Sequence, residues 1–549
     1  YTQTYDPEFP DRGIVTTQTD AYGNVTTIKK EQYEPYSGKN SRFSVAYPDD
    51  TTQSFTHTHG GRVVSSVTDQ TGKTATFQAG DSADRLNEIT DRIGDTSSVA
   101  YHPESGLVAS VTNAEGNASR STYTKQVQTF TNPENDDAVS FAFYVLARAT
   151  HADGTSREFE YDAKGNVTKV TDPLGNERTY TYNSDGRVLT VTNPAGGVIT
   201  NTYNADGTLA SRQDSDTGVT TYGYDDAKRL TSIHRPDGTS VQMTYDRNGW
   251  LTSSTDENDH TYTYTYDANG NLESGTDPEN NETQYTYDLM DRVLQVTDKR
   301  NKATAYTYDS MGRMDSVTGP NGMITSYGYD ARGWRNRVSR AGRTWKAEYD
   351  DEGVVTSAIN PLNQAHVHQT NKLGRITAVT DPMGEIRTFS RDSMGQLTGI
   401  TDPLGRTTTY GYDDNGRLIE VTLPQGGRAT YRRNELGLLE QITNLDGKNW
   451  TFTYTDMGRT SSISDPLGRA DHFSYDSRGR LLNVSFADGA SVERGYDNAG
   501  NLIQESYSDG TDLQFSYDGL DRLIGANGLS LTRNAQGQVT NTNNGDADF

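Results

Sequence analysis

The residues that could do chemistry are carboxylates in tight loops. The stretch YDAKGNVTKVTDPLGN, 161–176, sets Asp162 beside Tyr161 and ahead of Gly165, then runs into Asp172, Pro173 and Gly175. Acidic loops at both ends of a hairpin could bind a cation or carry acid–base chemistry. The only His-x-His pairs are His57-Thr-His59 and His366-Val-His368, and on a strand the two imidazoles of a pair share a face, which suits a metal. No third ligand stands at a suitable spacing from either pair, so both read as surface or sheet-facing histidines. Acidic turns such as YDDNGR, 412–417, lack the ligand alternation of an EF-hand and the nonapeptide pattern of calcium β-rolls. G-x-S-x-G, Walker, H-E-x-x-H and dinucleotide signatures are absent. The sequence therefore predicts no catalytic residue, no metal ligand and no cofactor.

What positions these carboxylates is a repeat. Tyr161, Tyr182, Tyr203, Tyr224, Tyr245, Tyr266, Tyr287, Tyr308 and Tyr329 recur every 21 residues. The interval to Tyr349 is 20, after which the register returns to 21 through Thr370, Arg391, Tyr412, Arg433, Tyr454, Tyr475, Tyr496 and Tyr517. So regular a period marks one array over 151–528. Glycine stands four residues after the Tyr position in every copy except at Lys228, Asp291 and Asp521, which predicts a turn with positive φ. Before the turn, pairs such as Tyr264/Tyr266 and Tyr285/Tyr287 fall on one face of a strand. After it, apolar residues stand six and nine positions past the Tyr, as at Val167 and Val170, a spacing that strict alternation forbids on one face. Either the first belongs to the turn exit or the strand carries a bulge. Asp-Pro-x-Gly then reverses the chain, with Asp capping, Pro presetting φ and Gly following.

Each copy is thus a hairpin plus a turn, and the expected fold is all-β: a long antiparallel sheet that coils, because open sheets beyond about ten strands twist and curl. Tyr rings stacked along the coil would replace a conventional core. Composition agrees, with 32% hydrophobic residues but 34 Tyr and 53 Gly. Residues 1–120 read as degenerate copies, with Asp69, Asp91 and Asn113 spaced by 22; 121–150 as an irregular junction; and 529–549 as a decaying end. The short copy at 333–349 suggests a kink.

The net charge of −25 and a pI near 4.7 exclude nucleic acid and anionic membrane as natural partners. The longest apolar run, Phe141 to Ala147, is far too short to span a bilayer, and Cys is absent. The chain starts at Tyr1 without Met or a signal pattern, which reads as a processed product or a piece of something longer.

With its 21-residue period, its YDxxGR/N turns and its TDPLG turns, nearly the whole chain resembles the Rhs or YD-repeat family: bacterial Rhs polymorphic toxins, toxin-complex C subunits and teneurins. The resemblance implies a spiral sheet closing as a hollow shell. It also implies a toxin or effector cargo as partner, delivery components beside it, and a secreted or cell-surface bacterial setting of interbacterial competition. Bacterial members end the shell in a self-cleaving segment with two Asp-Pro-x-Gly elements. Here Asp381 to Gly384 and Asp402 to Gly405 stand one period apart with many copies after them, so they read as repeat and not protease. The function expected is a non-enzymatic shell around cargo. The alternatives are a surface adhesin binding glycans through exposed Tyr rows, and a fibre built by end-to-end stacking.

Overall fold

A computed structural model describes residues 2–5, 15–32, 41–58, 63–80, 85–131, 138–534 and 537–543. Among them there is no helix. Fifty strands, from Thr2–Tyr5 to Val539–Asn543, form one antiparallel sheet in which each strand pairs with the next. The first and last strands do not meet, so the sheet is unclosed.

The repeat explains the strands. In the copy at Tyr161, strands Ser156–Tyr161 and Val167–Thr171 are rich in β-branched and aromatic residues, which suit a pleated, half-buried surface. Two turns of the same construction bound the second strand. In the Tyr turn, Gly165 N–H donates to Asp162 O at 3.1 Å, and in the Pro turn Gly175 N–H donates to Asp172 O at 2.9 Å. Both glycines sit in the left-handed region, at φ +85° and +84°. Lys228, Asp291 and Asp521, which replace this glycine, hold φ of +63°, +59° and +57°.

The six-and-nine spacing is a bulge. Tyr161 pairs with Val167 and Glu160 with Lys169, which leaves Thr168 as the extra residue. The same shift recurs at Tyr182, Tyr245 and Tyr517. It returns Val167 and Val170 to the face that carries Tyr161 and Phe159, so one face of the sheet is aromatic and aliphatic. The other is hydroxylic, with cross-strand pairs such as Thr265 to Ser274 at 2.9 Å and Thr453 to Ser462 at 2.7 Å.

There is no conventional core. Among the described residues, Ala75, Ala378, Val484 and Val492 are the buried hydrophobics. The accessible surface is 31062 Å², against about 19,500 Å² expected for a compact protein of this mass. Both faces of the sheet are therefore open.

The Tyr residues stitch consecutive repeats, but not by stacking on each other. In the 21-residue copies the turn Tyr hydroxyl donates to a carbonyl 15 residues back, as from Tyr161 to Leu146 at 2.9 Å, Tyr182 to Val167 at 2.6 Å and Tyr266 to Leu251 at 2.9 Å, and in the short copy Tyr349 reaches Arg335, 14 residues back. Among the described residues no Tyr ring stacks on another Tyr. Instead the last residue of the preceding Tyr turn covers the ring, as Arg229 does over Tyr245, Arg292 over Tyr308 and Trp250 over Tyr266. The expected Tyr ladder is thus replaced by an Arg- or Trp-covered one, because a 21-residue step brings the long turn side chain, and not the next ring, over each Tyr face. Tyr182→Phe should cost about 1 kcal/mol of local stability, the net worth of one hydrogen bond, read as faster amide exchange over 167–182.

The short copy at 333–349 is absorbed in a turn and not in the ladder. Strands Arg335–Arg340 and Arg343–Tyr349 pair without a bulge around Ala341-Gly342, both at positive φ, the geometry of a two-residue hairpin turn. Where the pattern breaks, Ala118–Thr131 and Ala138–Thr150 form one hairpin with strands of 14 and 13 residues, about twice the usual length. Val127, Phe130, Val139 and Phe141 are exposed on it. Beyond 528 the pairing continues through Leu529–Arg533 and Val539–Asn543.

Candidate functional site

The candidate site is the line along which the coiled sheet meets itself. Pro turns of one revolution lie against Tyr turns of the next, through hydrogen bonds joining residues 221 to 267 apart, about twelve repeats. Near the N-terminus, Asp69 of one Pro turn accepts from Arg332 Nε at 2.9 Å, and the neighbouring Arg92 backbone N–H donates to Glu352 at 2.6 Å. Further along, Asn415 donates to Asp172 at 2.7 Å, Arg459 to Asp216 at 2.8 Å and Arg522 to Glu279 at 2.8 Å. Asn193 Nδ2 reaches the backbone carbonyl of Asp456 at 2.7 Å, beside the Met457 sulfur. Basic Tyr turns on acidic Pro turns recur along this seam.

The carboxylates singled out in the sequence are turn fasteners. Asp162 Oδ1 accepts from the backbone of Lys164 and Asn166 at 2.9 Å each, and Oδ2 from Asn166 Nδ2 at 2.9 Å. Asp172 repeats this with Leu174 and Asn176. Where Arg follows the glycine, its guanidinium takes the second oxygen, as Arg417 does on Asp413 at 2.8 Å. That accounts for R or N in YDxxGR/N. Pro173 is half-buried in the turn whose Asp172 accepts from Asn415 of the next revolution, and Gly165 and Gly175 supply the left-handed turn positions. The hydroxyls of Tyr245, Tyr287, Tyr308, Tyr329 and Tyr412 all donate to carbonyls 15 residues back, and those of Tyr475, Tyr496 and Tyr517 do the same.

These contacts lower carboxylate pKa values. The Arg406 and Arg469 guanidiniums hold Asp402 and Asp465 below the ordinary range; at Asp172 burial pushes upward, but hydrogen bonds from Asn176 and Asn415 outweigh it. A carboxylate depressed in the folded state contributes stability above its unfolded value, near 3.9, and loses it as pH falls through the folded value. The sheet should therefore hold its far-UV signal from neutrality down to about pH 4 and lose it below. Asp402→Asn, which keeps an acceptor but cannot titrate, should remove only that turn's share of the acid limb, read as weaker pH dependence of amide exchange at 402–406. A transition centred above pH 5 would contradict this.

His366 and His368 lie on one strand, Ala365–Thr370, and His368 Nδ1 is 3.2 Å from Val355 O. His59 lies outside the described residues. Among those described, no group of three or more His, Cys, Asp or Glu is placed to hold a metal ion. Asp381 and Asp402 sit in neighbouring Pro turns, each accepting from its own turn amides.

Sequence reasoning missed the seam, since its partners are hundreds of residues apart. A signal exists in the third residue after each Tyr. Through the first revolution it is polar or small and exposed, at Lys164, Asp185, Asp206, Ala227, Asn248 and Asn269. From residue 290 on it is half-buried and often apolar, as at Met290, Met311, Leu373, Met394, Leu436 and Met457.

No curated protein matches this chain. Among solved structures it is similar to the Tc holotoxin pore of Photorhabdus luminescens carrying mutant TccC3, at 15% identity and a TM-score of 0.44, covering 94% of this chain and 32% of that one. It is also similar to TcdB2-TccC3 (14%, TM-score 0.41, covering 99% and 37%) and TcdB2-TccC3-Cdc42 (13%, TM-score 0.42, covering 98% and 35%). The chain spans about a third of the length of these structures. Residues 299–429 match the family described as Teneurin YD-shell. The RHS Repeat is matched at 146–177, 161–198, 203–240, 245–275, 266–303, 412–448 and 475–512. Together these matches take in more than half of the chain and fall on the hairpins whose Tyr, Asp and Gly roles are described above, so the chain belongs to the RHS/YD-repeat family.

Proposed function

We propose that this chain is a non-enzymatic wall that encloses and protects a toxin or effector cargo until delivery outside the cell that makes it. The observation that carries the reading is a coil whose consecutive revolutions are joined turn to turn by hydrogen bonds. About twelve repeats per revolution, or about 24 strands spaced by about 4.8 Å, give a perimeter of about 115 Å and a diameter of about 37 Å. Packed sheets lie only about 10 Å apart, so opposite walls leave room for a guest. The doubled-sided exposure of the sheet and the Teneurin YD-shell match both support this. The glycan-binding reading draws less support, because the Tyr hydroxyls are bonded within the sheet and many ring faces are covered. Electron microscopy of the natural gene product tests the proposal. Density inside the coil, lost when the cargo-coding region is deleted while the wall persists, is expected; an empty lumen in the intact product would overturn it.

A further inference from the structure

The chain has eight Met and no Cys, so methionine is the one side chain that a mild peroxide oxidises reversibly. Two of the eight sit inside the seam at its N-terminal end. Met290 and Met311, at the third residue after Tyr287 and Tyr308, are half-buried and line a crevice of about 290 Å³ with Tyr47 and Pro48 of the other revolution. The polar links on either side of this crevice are long: Leu289 N–H donates to the Tyr22 hydroxyl oxygen at 3.3 Å, and Arg313 Nη2 stands 3.7 Å from Asp49 Oδ2. Asn415 to Asp172 and Arg459 to Asp216, further along, are 2.7 and 2.8 Å. The joint at Met290 and Met311 therefore rests more on thioether packing than on polar bonds. Its polar groups are already matched, since Arg292 holds Asp288 through Nε and Nη2 at 2.7 Å each and Asn24 Nδ2 donates to Asp20 at 2.8 Å.

We propose that Met290 and Met311 are oxidation sites that make this joint peroxide-sensitive: conversion of their thioethers to sulfoxides loosens the seam there, and reduction closes it again. The oxidant is hydrogen peroxide or an alkyl hydroperoxide. The sulfur lone pair attacks one peroxide oxygen, the S–O bond forms as the O–O bond breaks, and the other oxygen leaves as water or alcohol, so sulfur loses two electrons and the peroxide gains them. The product turns a flexible apolar tip into a polar one. In the crevice its oxygen competes with the Asp288 and Asp20 carboxylates for donors and is desolvated against Pro48. Sulfur itself is not needed to build the joint, because Leu373 and Leu436 are half-buried at the same position of other Tyr turns. Met383, 86% exposed on the bare rim of the sheet, supplies an internal control, as its oxidation changes no packed contact. This sensitivity belongs to the seam and holds whatever the wall encloses.

The test treats the folded chain with hydrogen peroxide until peptide mass spectrometry shows Met383 fully converted, then reads sulfoxide at each Met and amide exchange along the seam. Sulfoxide at Met290 and Met311 should accompany exchange that is faster by about tenfold or more at 45–50 and 288–292, with 172–176 and 413–417 unchanged. Methionine sulfoxide reductases of both stereospecificities should restore the original rates. The double variant Met290→Leu, Met311→Leu, its fold verified by circular dichroism, should show no response at the same dose. Sulfoxide at both positions with exchange unchanged would overturn the proposal, as would an equal rise in the Leu variant or two sulfurs that stay reduced once Met383 is fully oxidised. The reductase arm uses the unaltered chain, so the proposal stays open to refutation even if the variant does not fold.

Discussion

Gly197→Val is expected to open the seam at one point while leaving each revolution's own ladder paired. Gly197 closes the Pro turn at 193–196 and is buried beneath the Tyr turn at 454–458. A β-carbon there would overlap the backbone carbonyl of Asp456 and come within 2.7 Å of Asn193 Nδ2, the group that donates to that carbonyl. Backbone cannot rotate away as a flexible side chain can, so the two revolutions must separate locally or the turn must distort. Overpacking of this kind costs about 2–3 kcal/mol, a roughly 30- to 150-fold rise in amide exchange. The rise should appear on both sides of the seam, at 193–198 and 454–459, although these lie 263 residues apart in sequence. Gly384→Ala is the control. Gly384 has φ +85° and open space around its β-position on the bare rim, so its substitution strains one turn by about 1 kcal/mol and leaves distant segments unchanged. Exchange confined to 193–198 in Gly197→Val would mean that the revolutions do not bear on each other there.

The contrast between those two glycines shows how much of the molecule was legible in its sequence. The turn at Gly165 and the cap at Asp172 are local facts, settled within six residues by φ preferences and backbone amides seeking acceptors, and a single repeat suffices to read them, while the 21-residue period needs only the Tyr positions counted along the chain. The bulge was half-legible, since the spacing of Val167 and Val170 demanded an irregularity without saying where. The Tyr hydroxyl bonds were not legible, because a phenol 15 residues from its acceptor leaves no trace in residue type beyond the Tyr itself. The seam was hidden more deeply, as its register depends on the small twist between strands summed over a whole revolution. What it does leave in the sequence is a change of tip, from Asn248 and Asn269 to Met290 and Met311, where exposed turns become covered ones. That change is invisible until the covering partner is known.

Arg332→Ala should produce the largest loss along the N-terminal half of the seam. Its side chain is only 10% exposed and spans three chain segments: Nε donates to Asp69 at 2.9 Å, Nη2 to Asp351 at 2.6 Å and to Thr71 Oγ1 at 2.5 Å, and Nη1 to the Asp350 carbonyl at 3.2 Å. Removing it strands the Asp69 carboxylate, whose side chain is 5% exposed, in a site with little water. Breaking one half of a buried pair costs about 3–5 kcal/mol when nothing else compensates. Here Arg92 Nε remains 3.4 Å from Asp69, and the Asp69 turn keeps its bonds from the Thr71 and Lys73 amides, so about 2–3 kcal/mol is expected. Arg332→Lys retains the charge but loses the planar fork that serves four acceptors at once, and should recover only about half of that. The double variant Arg332→Ala with Asp69→Asn separates the two contributions. If the cost is a stranded charge, neutralising Asp69 restores much of the stability while its acceptor oxygen still caps the turn. If the cost is lost side-chain packing, the double variant is no better than the single one. Amide exchange at 69–73 and 349–354 reads both, and high salt should narrow the difference between wild type and Arg332→Ala only slightly, because ions screen a buried pair poorly.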